Sequence, residues 1–326
     1  MPVPAPNLYP EFNIVRLSHI ELGVTDLRSS TFFYSEILGL QVTHQDSNQV
    51  FLRAMEERGH HSIILKQEST PKVSMLAFKV FSDSDLDKAE KWFKDRSLPT
   101  EWVERSFQKR TLRTRDVHGI PLEFYYAMDR LPSIHQKYNL YKGVKPLRID
   151  HFNCFSSDVD ASVSFWNDMG FRTTEYTEDE ESKKIWAAWM HRKGGVHDMA
   201  FTNGLGPRLH HTAFWVPTPL NIIDLCDLMA SSGYVNNIER GPGRHGISNA
   251  FFLYVLDPDG HRVEIYCSDY QTIDPDHEPI KWDLKDPQRQ TLWGAPAPKS
   301  WFEKGSNFMN IEPKKSILAA SPIIAP

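Results

Sequence analysis

Residues 14–34, IVRLSHIELGVTDLRSSTFFY, and residues 146–166, PLRIDHFNCFSSDVDASVSFW, are two versions of one segment; they pair His19 with His151, Asp26 with Asp158 and Phe33 with Phe165. Gly39 then falls opposite Gly170 after a one-residue slip. Further on, VSMLAFKV at 73–80 aligns with LHHTAFWV at 209–216, and RDVHGIPLEFYY at 115–126 aligns with LDPDGHRVEIYC at 256–267, pairing Glu123 with Glu264. Three matches in one order mean a duplicated chain, which folds as two like halves. At 326 residues, each half has the length of an ordinary domain with its own core.

Within each copy, an alternating strand (Leu17 to Val24; Arg148 to Phe155) leads to an Asp suited to cap a helix with apolar residues at helical spacing. Short strands follow, the last entered through a Gly turn, HGIP or PDGH, and a further strand and helix fall near 73–98 and 209–233. The expectation is an α+β protein with two modules per half: domains at 1–140 and 141–270, and a Pro-rich, charged tail at 271–326 that covers the second domain and frays in ILAASPIIAP.

Charge narrows the function. Lys and Arg number 37 against 42 Asp and Glu, a net charge of −5, so there is no basic surplus to drive binding to nucleic acid or to an anionic membrane. Apolar runs such as Phe251 to Leu256 are too short to span a bilayer, and MPVPAPNLYP lacks the basic start and apolar core of a secretory signal. Cys154, Cys226 and Cys267 are odd in number and lack CxxC spacing, which points to reduced thiols and a cytoplasmic protein acting on small molecules.

His151 and Asn153 share one face of the strand RIDHFNC; His210 and His211, adjacent on another strand, are expected to face opposite ways, so that only one enters a site. Glu264 lies between Val263 and Ile265, which belong to the packing layer. An isolated His or Glu is ordinarily a packed or solvated polar residue. Two imidazoles and one carboxylate from three strands, however, make the set that holds Fe(II) on one face and leaves the other positions open. In the first half the matching positions are His19, Met75 and Glu123, and a thioether is a poor ligand for a hard divalent ion, so only the second half makes the full set.

These features extend into a resemblance carried by RIDHFN at 148–153, AAWMHRKGGVHD at 187–198, GPRLHH at 206–211, ERGPGRHGISNAFFLYVLDPDGHRVEIY at 239–266 and WDLKDPQRQTLWG at 282–294. The chain resembles the two-domain extradiol ring-cleaving dioxygenases of the vicinal oxygen chelate superfamily, and among them those that act on homoprotocatechuate. The resemblance implies tandem βαβββ modules, a metal-free first domain, and His151, His211 and Glu264 as ligands of Fe(II), with Mn(II) the alternative. It implies His197 as the acid/base, with Tyr254 donating to a substrate oxygen and His245 over the mouth of the site. Asn153 and Trp189 would line the ring pocket, and Arg240 and Arg289 would hold a side-chain carboxylate. The implied reaction uses O₂ to cleave a catechol beside its diol, most simply 3,4-dihydroxyphenylacetate to 5-carboxymethyl-2-hydroxymuconate semialdehyde, in a homotetramer.

Two other readings stay open at this level. One is a metalloenzyme of the glyoxalase or epimerase type, or a dioxygenase for another substituted catechol; the other is a metal-free small-molecule binding protein. A zinc hydrolase is less favoured than either, since neither an HExxH nor an HxxEH motif occurs.

Overall fold

A computed structural model describes residues 2–318; the last residues of the expected frayed end, 319–326, lie outside it. Two sheets carry the duplication. In the first, the spatial order is Gln41–Gln45, Gln49–Arg53, Ile63–Gln67, Ile14–Val24, Lys72–Val80, Pro121–Tyr125, Thr111–Arg115 and Glu101–Val103. The second repeats that order with Arg172–Glu178, Ile185–His191, Met199–Asn203, Arg148–Ser156, Arg208–Trp215, Arg262–Cys267, Phe251–Leu256 and Ile238–Arg244. Each half is thus a pair of βαβββ modules joined through their first strands, which run antiparallel at the centre of the sheet. The two halves belong to one α+β architecture, as expected.

Local sequence explains the elements. Asp26 accepts from the backbone N–H groups of Arg28 and Ser29, and Asp158 from that of Ala161, so the aligned aspartates cap aligned helices, Leu27–Phe32 and Val159–Asp168. The first of these continues as a π-helical turn over Phe33–Ile37. Gly39 and Gly170 both leave their helices at positive φ, +91° and +87°; a Cβ on Gly39 would stand 2.0 Å from the Lys142 carbonyl oxygen.

One continuous apolar core runs through both halves. At their junction Phe78 packs on Phe152 and Trp166, while Phe165 packs on Trp92 and Phe93. Two crossed hydrogen bonds obey the duplication: Trp166 of the second half donates Nε1–H to Asp116 of the first (3.3 Å), and Tyr34 of the first donates its hydroxyl to Asp257 of the second (3.1 Å). Both carboxylates are buried, and burial pushes both upward in pKa.

The tail adds strands instead of a third core. Ile280–Asp283 extends the second sheet beside Arg172–Glu178, and Ser306–Asn307 pairs with Arg208 and Leu209. The helix Lys299–Glu303 lies between them in sequence, and Phe308 bridges to Val73, so the tail reaches the first half as well as the second. Cys154 and Cys267 are buried, Cys226 is half-buried, and all three are free thiols. Among the described residues no helix is long and apolar enough to cross a membrane.

Candidate metal centre

Three strands of the second sheet bring one row of side chains to one of its faces. Ala213 stands in register with both His151 and Glu264, and His211, two residues away on the same strand, completes the cluster. His151 Nε2 is 3.1 Å from His211 Nε2 and 2.9 Å from Glu264 Oε2, which is 3.1 Å from His211 Nε2. Adjacent ligands of an octahedral ion with bonds of about 2.1 Å stand about 3.0 Å apart, against about 3.4 Å for a tetrahedral one. The donors therefore fit one face of an octahedron. They are the one group of three or more potential metal-binding side chains that converges this way among the described residues.

The electrostatics fit a cation too. All three groups are buried. Burial alone would raise the Glu264 carboxyl, but the two imidazoles beside it hold it well below the usual carboxylate range. His211 is lowered to about 4 by burial, with Glu264 opposing. On His151 burial pulls the pKa down, yet Asp150 and Glu264 more than offset it, so this ring sits between two negative groups. Asp150 accepts from His151 Nδ1 (3.1 Å) and from the Tyr266 hydroxyl, and its other oxygen lies 2.9 Å from Lys193 Nζ. With its proton on Nδ1, His151 presents a bare Nε2 to the centre.

A half-open cleft lies over the donors, lined among others by Asn153, Trp189, His197, His245, Tyr254 and Arg289. His197 stacks its ring 3.8 Å from that of His151, and its Nδ1 has no hydrogen-bond partner among the described residues. Burial, reinforced by His151, holds it well below its ordinary pKa, so it stays neutral. Its Gly194–Gly195 turn is pinned by Asp198, which accepts from the backbone N–H groups of Leu17, Arg192 and Lys193. Thr202 donates to the Asn153 side-chain oxygen at 3.1 Å. Tyr254, in register with Glu264, has its hydroxyl 3.1 Å from His245 Nε2, while His245 Nδ1 donates to the Gln290 carbonyl. Burial and Glu264 keep the phenol protonated.

The two arginines occupy different depths. Arg289 lines the cleft beside Trp186. Arg240 is not among the lining side chains: it lies one layer behind, with its guanidinium against Trp301 (4.6 Å) and Phe252 (4.9 Å). Its Nη2 donates to Gln290 O and Thr291 Oγ1, but Nε and Nη1 are buried with no partner among the described residues. Burial lowers both guanidinium groups to about 10.

The expectation for His210 needs correction. Strand alternation would turn its ring away from that of His211, yet the two Nδ1 atoms are 2.6 Å apart. The register on the neighbouring strand steps from Leu209↔Cys154 to His211↔Asn153, which leaves His210 unpaired in a bulge and breaks the two-residue period. His211 alone of the two lines the cleft.

Sequence reasoning also passed over Asp150, Lys193, Tyr266 and Trp301 around the site, and His61 in the first half. Strand pairing shows the last clearly: Ile63 stands beside Ile20 as Met199 stands beside Phe152, so His61 occupies the place of His197. The first-half cluster nevertheless differs. His19 Nε2 is 3.6 Å from Glu123 Oε1, Met75 fills the middle position, and Glu123 is engaged by Gln108 (3.0 Å), Arg113 (3.1 Å) and Arg105 (3.4 Å). Arg105 also pairs with Glu21.

Comparison with known proteins agrees with this geometry. Residues 16–124 and 148–265 match the Glyoxalase/Bleomycin resistance protein/Dioxygenase superfamily, one match per half. The chain is 31% identical to a manganese-dependent 2,3-dihydroxybiphenyl 1,2-dioxygenase of Geobacillus genomosp. 3, covering 88% of this chain and 95% of that one. It is 30% identical to a metapyrocatechase of Geobacillus stearothermophilus, covering 91% and 95%. The solved homoprotocatechuate 2,3-dioxygenase of Brevibacterium fuscum, in complex with 3,4-dihydroxyphenylacetate, superimposes with a TM-score of 0.90 at 42% identity, covering 96% of this chain and 99% of that one.

Proposed function

The chain belongs to the Glyoxalase/Bleomycin resistance protein/Dioxygenase superfamily and is an extradiol ring-cleaving dioxygenase; from that premise we propose that it cleaves 3,4-dihydroxyphenylacetate with Fe(II) bound by His151, His211 and Glu264. The observation that carries the substrate is the cationic wall of the cleft: Arg289 lines it, and Arg240 adds a second buried guanidinium one layer behind. A buried guanidinium at the cleft wall, as on Arg289, is suited to a carboxylate. The likeness to the homoprotocatechuate enzyme supports the same substrate.

When bound, the divalent ion supplies a Lewis-acidic centre with open positions at which the catechol diol and O₂ meet. The chain's own groups do the rest. Asn153 and Trp189 flank the ring, and Arg289, backed by Arg240, fixes the end that carries the carboxylate. His197, neutral and beside His151, takes a proton from the bound diol and returns it as the ring opens. Tyr254 is protonated and its one hydroxyl hydrogen goes to His245 Nε2 in this structure; a bound substrate oxygen would take that hydrogen in place of His245. The donors and the side chains around them are buried, which strengthens each of these interactions.

A relative that depends on manganese and acts on 2,3-dihydroxybiphenyl gives a second reading for both metal and substrate. The test is anaerobic reconstitution with Fe(II) or Mn(II), followed by O₂ uptake with 3,4-dihydroxyphenylacetate, catechol and 2,3-dihydroxybiphenyl. The expected result is highest kcat/KM with Fe(II) and the carboxylate-bearing catechol; higher activity with Mn(II), or with either uncharged diol, overturns the corresponding part. Residence in the cytoplasm fits the three free thiols. A homotetramer is proposed from the resemblance, and light scattering on the purified protein checks it.

A further inference from the structure

His210 lies in the bulge between two rows of the metal-bearing strand and touches no part of the cleft. It is nonetheless fully engaged. Its Nε2 is 2.9 Å from the backbone carbonyl oxygen of Trp301, in the tail helix, and its Nδ1 is 2.6 Å from Nδ1 of His211. Phe155 and Trp301 both pack edge-to-face with the ring, and Arg262 donates to the His210 carbonyl at 2.9 Å.

These contacts leave one proton arrangement. A carbonyl oxygen only accepts, so His210 must carry its proton on Nε2. Its Nδ1 is then a bare lone pair, since a second proton would make a buried cation beside the Arg262 guanidinium. Two nitrogens 2.6 Å apart need one proton between them, and His211 Nδ1–H must supply it. His211 Nε2 is consequently bare, and it is this atom that stands 3.1 Å from both His151 Nε2 and Glu264 Oε2.

We propose that His210 is a positioning residue that relays the Trp301 backbone carbonyl to His211, fixing the tautomer and ring orientation in which His211 Nε2 faces the metal. The relay makes the tail helix Lys299–Glu303 part of the centre although none of its side chains is a ligand. It parallels the arrangement at His151, where the outer partner is the Asp150 carboxylate; the strand that carries His211 has no carboxylate in that place and uses a second imidazole instead. Outer partners of this kind are worth about ten- to a hundredfold in metal affinity.

The inference rests on His211 being a ligand but not on which metal or catechol is used, and its test separates the two. Long-range ¹⁵N–¹H NMR of the apo protein at neutral pH reads the tautomers directly. The expected spectrum shows His211 protonated on Nδ1 and His210 on Nε2; His211 protonated on Nε2 overturns the relay whatever the enzyme's substrate. Competition with a chromogenic chelator then measures metal affinity in His210→Phe, which keeps the packing, and His210→Asn, which can still accept from His211. His210→Phe should lose affinity by ten- to a hundredfold while His210→Asn recovers most of it. Equal wild-type affinity in both, with an unchanged His211 tautomer in His210→Phe, refutes the proposal. A His210→Phe chain that does not fold leaves the decision to the wild-type spectrum.

Discussion

The two halves share a strand order, a row of ligand-position residues and a histidine beside that row, yet they satisfy their buried carboxylates in opposite ways. In the second half, Glu264 faces two imidazoles whose bare nitrogens point at a common centre, and the positive charge the cluster needs has to come from outside. In the first half the charge is built into the chain: Arg105 and Arg113 reach Glu123, and Arg105 also reaches Glu21. Met75 then stands for His211, and Ser18 stands for the Asp150 that orients the ligand histidine. A covalent counter-ion stabilises the fold permanently; an exchangeable one leaves coordination positions for chemistry. The same scaffold thus supports either use, and a few side chains decide which.

The largest effect that would sharpen this contrast is expected at the middle position. His211→Ala should abolish metal content and turnover, while Met75→Ala at the equivalent place should leave one metal per chain; metal analysis of both variants decides, and a loss of metal in the second would mean that the halves share a site. Next comes the pair of neighbouring histidines. His197→Asn should retain its metal but turn over roughly 10²- to 10⁴-fold more slowly, as expected for loss of a proton-transferring group. The matching His61→Asn should stay within a few-fold of wild type, and a comparable fall there would break the comparison.

A third effect concerns stability. Burial raises the Glu123 carboxyl, but His19 and Arg105 outweigh it and bring it to about 2. A carboxylate lowered on folding adds stability that is complete above its unfolded pKa of about 4.5 and is lost as pH falls toward 2. Glu123→Gln should therefore lower the unfolding free energy at pH 7 by on the order of 3 kcal/mol, with the gap to wild type narrowing below about pH 4.5, roughly halved at pH 3 and closed only below about pH 2. Denaturant titrations across this range read this out; a gap that does not change with pH would show that the arginines are not its counter-ions.

Smaller still is substrate selection. Removing a charged hydrogen bond to a carboxylate costs about 1.5–3 kcal/mol, so Arg289→Ala should weaken 3,4-dihydroxyphenylacetate by roughly tenfold or more and plain catechol far less. Equal losses for both would make the guanidinium a packing element. The smallest effect is expected at His19: His19→Ala should keep metal stoichiometry and hold kcat/KM within a few-fold, and a drop in catalytic metal would reopen the question of a shared centre.

The sequence reveals the row His151, His211 and Glu264 because duplication supplies its own control: two aligned copies, one with an imidazole and one with a thioether in the middle, mark that position as the variable one. What surrounds the row is less legible. That only His211 of the pair enters the cleft is legible, but the direction of the His210 ring is not, because a bulge is a matter of pairing with another strand, which alternation along a single strand does not show. Asp150, Tyr266 and Lys193 meet only when three distant segments fold together, so each reads alone as an ordinary polar residue. His61 was hidden by loop length, since the segment before Ile63 is longer than its counterpart before Met199 and the aligned blocks do not reach it. Trp301 lies beyond the duplicated region, where no second copy exists to mark it.

The crossed bonds Trp166–Asp116 and Tyr34–Asp257 bear on how the chain comes to exist at all. On the ribosome the first half is complete before Phe165 and Trp166 have been made, so for the length of another domain it holds an Asp116 with no aromatic donor and a Phe78 and Trp92 face with nothing over it. Each half thus completes the core of the other. Residues 1–140 made alone should therefore unfold at lower denaturant than the same half in the whole chain, and denaturant titration of the two reads this; equal midpoints would show that the shared contacts add nothing to the first half.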